Sequence, residues 1–375
     1  MRTNFETLQE HLLKPDLSES EFKKLLLKIS SNFTSHREKI EKYVLSPEMV
    51  SAYALFYVPT NYPKLFFLMN QLPIEVREAI KKCDFIDIGT GPGTYLLSFL
   101  DFIEEKLSVN QRVFGIDQSN LMLEQAKKMI DGFFPDLSES IKFKKNRKEL
   151  SLELEEETNK KMLFFGHSLN EMGVTEARKW VDDFDPHFVS FIEPGTPDTF
   201  KSILSMRKIM KEKGYEILYP CSSLSLGCPM EGTEDWCHQV LKVVHDPWVE
   251  RLCQLVSKNR RVMPMIAHIY SKETQSSNES EDVIKVTLIR VLKETKFSFQ
   301  WQVCLAIGEE LSSDLNHSLI TVDVLKKYYS KKDQKALKKV SVGEIVYLNK
   351  VKGVSAQNWH VEIVDFKNWI KKIPS

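Results

Sequence analysis

Apolar residues fall into two regimes along the chain. Over residues 1–80 they recur at helical spacing, as in FKKLLLKISSNF and VREAIKK, and Pro15, Pro47, Pro59 and Pro63 are expected to break this stretch into separate helices. From residue 84 the pattern changes to short, continuously apolar runs: DFIDIG (84–89), RVFGID (112–117), MLFFGHS (162–168) and HFVSFIEP (187–194). Amphipathic segments such as LMLEQAKKMIDGF and EARKWVDDF lie between them. Buried strands alternating with helices predict an α/β fold, a doubly wound, Rossmann-like sheet of parallel strands. A further helix, TFKSILSMRKIMKEKG, ends at Gly214, and the strand YEILYP (215–220) after it runs straight into CSSLSLGCPMEGTEDWCH, residues 221–238.

Later segments read as β structure. VIKVTLIRVL (283–292) and FSFQWQVCLAIG (297–308) predict paired strands that close the sheet, and the polar SKETQSSNESED (271–282) predicts a surface loop between elements. GEIVYLNKVKG and WHVEIVDF predict a small β-rich appendage, and the acidic ELEEETNK (153–160) a solvated connection. The expected organisation is an N-terminal helical segment (1–80), a cofactor-binding core (81–220), a cysteine-rich region with closing strands (221–310) and a basic, β-rich C-terminal region (311–375).

Composition narrows the class only a little. The 375 residues are 42% hydrophobic and 28% charged, ordinary for a globular protein, and the formal net charge is zero, so any attraction to nucleic acid must come from local patches. The N-terminus lacks an apolar targeting core, and the longest apolar runs, ALFYV (54–58) and LFFLM (65–69), are too short to span a bilayer. A cytoplasmic, membrane-free monomer is expected. Thiols stay reduced in that compartment, so clustered cysteines point to metal binding or catalysis rather than disulfides.

Two stretches carry candidate chemistry. In DFIDIGTGPGTYLLSFL a strand ends in Asp87 and Ile88, and Gly89, Gly91 and Gly93 then open a helix. Glycines let the backbone turn tightly and approach a ligand closely. The next strand ends in Asp117, twenty-eight residues after Gly89, where an acid can accept hydrogen bonds from both ribose hydroxyls of a nucleoside cofactor. The D-x-G-x-G-x-G turn resembles the first motif of class I S-adenosylmethionine methyltransferases, whereas the dinucleotide fingerprint fails at Thr94. Asn170 and Glu171 in HSLNEM follow another strand and could line the methionine or acceptor side of the pocket; Glu193 ends the strand after that.

The second stretch is the cysteine loop. Cys221 and Cys228 are separated by six residues, Cys228 and Cys237 by eight, a spacing that matches neither zinc ribbons nor ferredoxins. Three thiols gathered outside an apolar pattern suit a soft metal, with His238, His245, Cys253 and Cys304 as candidate fourth ligands. Cys253 sits at core spacing in WVERLCQLV, and Cys83 reads as a buried small hydrophobe.

EPGTPDTF, YPCSSLSLGCPM and DWCH, with SLNEM and AYALFYVPTNYPKLFFLM upstream, resemble the bacterial and mitochondrial methyltransferase-like family that assembles the small ribosomal subunit. The resemblance spans roughly residues 50 to 345. It implies an S-adenosylmethionine-type fold, an iron–sulfur cluster of the 4Fe-4S type (zinc being the alternative) on Cys221, Cys228, Cys237 and Cys304, and contact with small-subunit ribosomal RNA and proteins. PCSS stands where the family has Pro-Cys-Pro-His, and no Asn-Pro-Pro-Tyr acceptor motif is present. A methyltransferase, a non-catalytic assembly factor and a zinc-stabilised methyltransferase of other substrates are therefore all compatible with the sequence. For RNA, KKYYSKKDQKALKK (326–339) supplies Lys326, Lys327, Tyr328, Lys331, Lys332 and Lys335, with Tyr329 as a second stacking candidate; smaller basic clusters are KFKKNRK (142–148) and KNRR (258–261).

Overall fold

The computed structural model describes residues 3–35, 46–104, 106–154, 159–221, 227–273, 283–306, 317–355 and 358–369. Most of the loop expected at 271–282, part of the acidic run at 153–160 and residues 222–226 of the cysteine loop lie outside these. The chain divides into two compact units, residues 1–193 with 243–262, and residues 194–242 with 263–375.

The first unit contains the expected parallel sheet. Its strands β1 (Asp84–Ile88), β2 (Val113–Ile116), β3 (Ile141–Lys144), β4 (Lys161–Gly166) and β5 (Phe188–Pro194) run in the order β3-β2-β1-β4-β5. β1 lies parallel to both β2 and β4, so the strand order reverses there, and open α/β sheets bind ligands at the carboxyl ends beside such a switch point. β1 is buried along its whole length. Phe85 stacks on Phe99 of the following helix at 3.9 Å between ring centroids, which fixes the helix over the strand. At the strand's start Oδ2 of the buried Asp84 accepts from both Nη2 and Nε of Arg112, at 2.6 and 3.0 Å, while Oδ1 accepts from the Arg112 amide at 2.9 Å, which ties the start of β2 to β1.

The helical lead-in consists of Glu19–Ser35, Pro47–Asn61, Pro63–Asn70 and Ile74–Ile80. Pro47 and Pro63 begin helices as expected, but Pro59 lies inside one. With only two helical residues after it, Pro59 disrupts little beyond the last turn. β3 was not foreseen. It is a four-residue strand with a mostly uncovered face, too polar to signal itself by apolar periodicity.

In the second unit the helix Pro197–Glu212 precedes β6 (Glu216–Tyr219), which pairs antiparallel with β8 (Val262–Ser271); β7 (Gln239–Lys242) also pairs with β8. The strands expected to close the parallel sheet do not join it. β9 (Val283–Glu294) and β10 (Ser298–Ala306) form a closed barrel with β11 (His317–Leu325), β12 (Ile345–Ser355) and β13 (Asn358–Ile363), in the order β10-β11-β13-β12-β9. β11 and β13 are parallel, the other neighbours antiparallel, and the helix Lys331–Leu337 lies between β11 and β12 in sequence. This is the connectivity of the OB-fold barrel. Trp301, Val322, Val346 and Val361 fill its interior, fully buried. What reads as an appendage in the sequence thus supplies β12 and β13 of a five-stranded barrel completed by β9, β10 and β11.

Candidate functional sites

The glycine turn after β1 has the backbone that its composition predicts. Gly89, Gly91 and Gly93 all have positive φ, 74°, 52° and 88°. A Cβ on Gly89 would sit 2.5 Å from Cβ of Ser168, and one on Gly93 3.2 Å from Cβ of Ala126, so both are tied to glycine by space as well as by conformation. The amides of Gly89 and Thr90 both donate to the Ile116 carbonyl at the end of β2 (2.8 Å each), and the Gly91 amide donates to Asp117 Oδ2 at 3.0 Å. Asp117 Oδ1 accepts from the Ser119 amide at 2.9 Å, while Ser119 caps the helix Asn120–Phe133. The acid is thereby locked against the loop, and each oxygen retains a second acceptor site for a hydroxyl.

Asp87 is fully buried, and its two oxygens differ. Oδ2 accepts from the Thr90 hydroxyl at 2.7 Å, whereas Oδ1 is buried with no hydrogen-bond partner. Burial, against the Thr90 hydrogen bond and helped by the nearby Asp117 charge, pushes its pKa up to about 7. An unmatched carboxylate oxygen facing a glycine turn is the acceptor that an ammonium group of a ligand would satisfy.

Asn170 and Glu171 open the helix Leu169–Phe184 after β4. The Leu169 amide donates to Glu193 Oε1 at 2.7 Å and the Asn170 amide donates to the same carboxylate, while Glu193 Oε2 is buried without a partner. Burial raises Glu193 to about 8, and the Glu171 charge adds to this. Glu171 itself is exposed. Tyr53, from the helical lead-in, feels both Glu171 and Asp117 and is held well above its ordinary pKa chiefly by burial. Its ring packs against Tyr57 at 4.6 Å between centroids.

A second group escaped the sequence altogether. Lys64 is 3% exposed, and its Nζ lies 2.9 Å from His167 Nε2 at the end of β4. His167 occupies the left-handed region (φ 63°), a strained position for histidine that aims the ring at Lys64. Burial brings Lys64 down to about 7, with Arg260 pushing the same way and Glu193 opposing; burial, Lys64 and Arg260 keep His167 neutral. An amine poised near neutrality can take up a proton there. Arg260 lies over the rings of Phe56 and Tyr57, both at 5.5 Å, and Arg261 pairs with Glu250, so the KNRR cluster is spent inside the unit. KFKKNRK is partly neutralised, Lys142 and Lys144 by Glu153 and Arg147 by Glu176 and Asp183.

In the second unit, Cys221, Cys228, Cys237 and Cys304 line one cavity, together with Arg207, Met230, His268 and Thr287. Cys304 reaches it from the middle of β10. Of the other candidate fourth ligands, His238 does not line the cavity and stacks on Trp236, His245 binds the Arg260 carbonyl at 2.9 Å, and Cys253 is buried in the helix Pro247–Leu255. The loop is anchored by Trp236 Nε1, which donates to the Gly195 carbonyl at 3.2 Å, and by an Arg290–Asp235 ion pair. The buried Gln239 amide nitrogen donates to Cys237 Sγ at 3.8 Å. Burial raises all four thiols, Cys221 to about 11, and each of the four pKa values also responds to charge on Cys, Arg or both nearby. Among the described residues, no three or more His, Cys, Asp or Glu side chains are close enough together to hold a single metal ion. Arg207, 6% exposed, hydrogen-bonds Cys221 and places positive charge where thiolates would form.

On the barrel, Lys326, Lys327, Lys331 and Lys335 line a common trough, whereas Tyr328 and Lys332 do not. Tyr329 is not available for stacking. It is 7% exposed, packs against Phe366 at 4.7 Å, and its hydroxyl accepts from the Ile363 amide at 2.7 Å. The Ser330–Asp333 capping box that starts the following helix turns Tyr329 inward.

No helix among the described residues is long and apolar enough to cross a membrane. Among solved structures, TrmK of M. capricolum with S-adenosyl-homocysteine superposes at 12% identity over 56% of this chain and 73% of its own, TM-score 0.32. A SAM-dependent methyltransferase from Aquifex aeolicus gives 15%, 56%, 97% and 0.31, and the human methyltransferase 10 domain containing protein 14%, 68%, 98% and 0.36. These likenesses are distant, and no residue role is carried across them. No curated protein matches the sequence. Residues 47–322, well over half of the chain, match the family described as mitochondrial small ribosomal subunit Rsm22, and the protein belongs to that family.

Proposed function

We propose that the protein binds S-adenosylmethionine in the first unit and acts on the small ribosomal subunit as a methyltransferase of its RNA or proteins, with an iron–sulfur cluster held by Cys221, Cys228, Cys237 and Cys304. The observation that carries the cofactor reading is the buried, unmatched Asp87 Oδ1 beside a glycine turn whose Gly91 amide is locked to Asp117. Asp87 would hold the methionine ammonium and Asp117 the ribose hydroxyls, while the glycines admit the ligand without Cβ interference. The bound cofactor supplies an electrophilic methyl group. In this reading Lys64, in contact with His167, would take the proton that an amine or hydroxyl acceptor loses, and proximity would supply most of the remaining catalysis. The ribosomal partner follows from the family. For the cluster, the support is that the four thiols line one cavity with a buried arginine beside them, zinc being the alternative occupant.

Calorimetric titration with S-adenosylmethionine tests the cofactor reading. Asp117→Ala is expected to weaken binding at least tenfold with the fold intact; equal affinity refutes the ribose role. Incubating the protein with immature small subunits and methyl-labelled cofactor then separates catalysis from a purely structural role, because an assembly factor binds subunits and transfers no label.

Asp87 gives this binding a pH dependence. Below about pH 7 the carboxyl is protonated and cannot balance an ammonium, so affinity is expected to rise with pH, by at most about tenfold per unit, and to level off above pH 7. Asp87→Asn should bind weakly and lose this slope. For the free protein the sign is opposite. A pKa raised on folding gives stability that is present at low pH and lost between about pH 4 and pH 7.

A further inference from the structure

The barrel carries a surface that the cofactor and cysteine sites do not use. An open trough of about 730 Å³ is lined by Glu294, Lys296 and Phe297 around the β9–β10 turn, by Lys326 and Lys327 after β11, by Lys331, Lys335 and Lys338 of the following helix, and by His360 of β13. Six lysines face a single carboxylate. Glu294 pairs with Lys326 and Lys338, both at 2.8 Å, and among the described residues no carboxylate pairs with Lys296, Lys327, Lys331 or Lys335. Phe297 stands at the rim, 70% exposed. Its backbone is nevertheless fixed: its amide donates to the Thr295 hydroxyl at 3.2 Å, its carbonyl accepts from the Lys326 amide at 2.8 Å, and the Thr295 amide closes the turn on the Ser298 carbonyl at 2.8 Å. The Lys296 ammonium lies over the ring, 5.4 Å from its centroid, so Phe297 is an exposed aromatic surface set among cations.

We propose that this trough binds unpaired RNA, with a base stacked on Phe297 and phosphates neutralised by Lys327, Lys331 and Lys335. The proposal rests on the ribosomal reading only for the choice of RNA; the stacking platform and charge stand by themselves. A flat exposed ring needs a base whose face is free, which a duplex does not offer, and lysines on two adjacent segments can follow a single-stranded backbone. The trough joins the β9–β10 turn to the segment after β11, and OB-fold barrels use the loop that corresponds to the β9–β10 turn in binding oligonucleotides. Phe297, Lys296 and His360 extend the site beyond the lysine run visible in the sequence.

The test is fluorescence anisotropy of the full-length protein with labelled rU12, with a perfectly paired RNA hairpin closed by a non-nucleotide linker, and with dT12, across a salt series. The single-stranded RNA is expected to bind at least tenfold tighter than the hairpin and measurably tighter than dT12. Phe297→Ala is expected to weaken rU12 roughly tenfold or more while leaving hairpin binding unchanged, since stacking on one base carries about that factor. Lys331→Glu/Lys335→Glu should lower the slope of log affinity against log salt by about 1.4, the loss of two single-strand phosphate contacts. All substituted positions are surface residues, and an unchanged melting curve establishes that each variant is folded. Equal affinity for the hairpin, equal affinity for dT12, or an unaltered rU12 affinity in Phe297→Ala overturns the proposal. Cofactor calorimetry on the same samples reports on the first unit separately: cofactor binding without rU12 binding sinks this inference and leaves the methyltransferase reading standing.

Discussion

Cys237→Ser, purified without oxygen, is expected to lose most of its iron and acid-labile sulfide and to melt on the order of 10 °C or more below the parent protein. Cys237 is the thiol most closely tied to its fellows: the charges of Cys221, Cys304 and Cys228 all raise its pKa, after burial itself. Four thiols pushed upward by burial stay protonated unless a cationic centre draws the protons off, so the metal-loaded and empty states differ by the full binding energy. Structural metal sites are worth about 10–16 kcal/mol in small peptides, and removing one of four ligands forfeits a large part of that. Serine fills nearly the same space, which keeps packing loss small. Cys253→Ser is the matched control, because Cys253 is buried in the helix Pro247–Leu255 and should leave metal content unchanged. Full iron and sulfide in Cys237→Ser would remove this residue from the ligand set. Zinc without sulfide in the parent protein would replace the cluster with a mononuclear site.

Gly89→Ala should abolish detectable cofactor binding and cost the first unit roughly 3 kcal/mol or more. Two independent penalties meet at this position. A left-handed φ of 74° costs an L-residue about 1–2 kcal/mol. The added methyl would also lie 2.5 Å from Cβ of Ser168, far inside van der Waals contact. Relief requires the turn to move away from the end of β4, which displaces the Gly91 amide from Asp117 and opens the pocket. Gly214→Ala isolates the first penalty: its φ is 75°, but nothing lies within 4 Å of the added atom. That variant should lose only the conformational part, near 1–2 kcal/mol, and bind cofactor normally. If Gly89→Ala behaves like Gly214→Ala, the close approach to Ser168 has no consequence for the pocket.

What could be read in the sequence is what local pattern encodes. β1, β2, β4 and β5 are apolar runs buried on both faces, and the glycine turn and Asp117 follow from strand ends and spacing. Elements failed where local pattern is silent. β3 alternates too weakly to signal a strand, and its lysines look like a basic patch because their partner, Glu153, comes later in the chain. The barrel was missed because β9 pairs with β12 and β11 with β13, and no period in the sequence records pairings across such intervals. Lys64 and His167 are 103 residues apart, so neither hints at the other. Tyr329 looked exposed because its neighbours are lysines, yet the helix cap beside it decides its direction. The cysteines were legible because sulfur is scarce and its grouping stands out without any period, and Cys304 lines the same cavity from β10.

The position of β13 has a consequence for incomplete chains. This strand is the last of the barrel to leave the ribosome, yet it sits between β11 and β12 and is hydrogen-bonded to both. Until it arrives, two long strands present open edges, and the indole of Trp369, which donates to the Ile345 carbonyl, is missing as well. A chain cut before β13 would therefore lose more than one strand: it would leave a sheet unclosed between β11 and β12, with exposed edges prone to pairing with other chains.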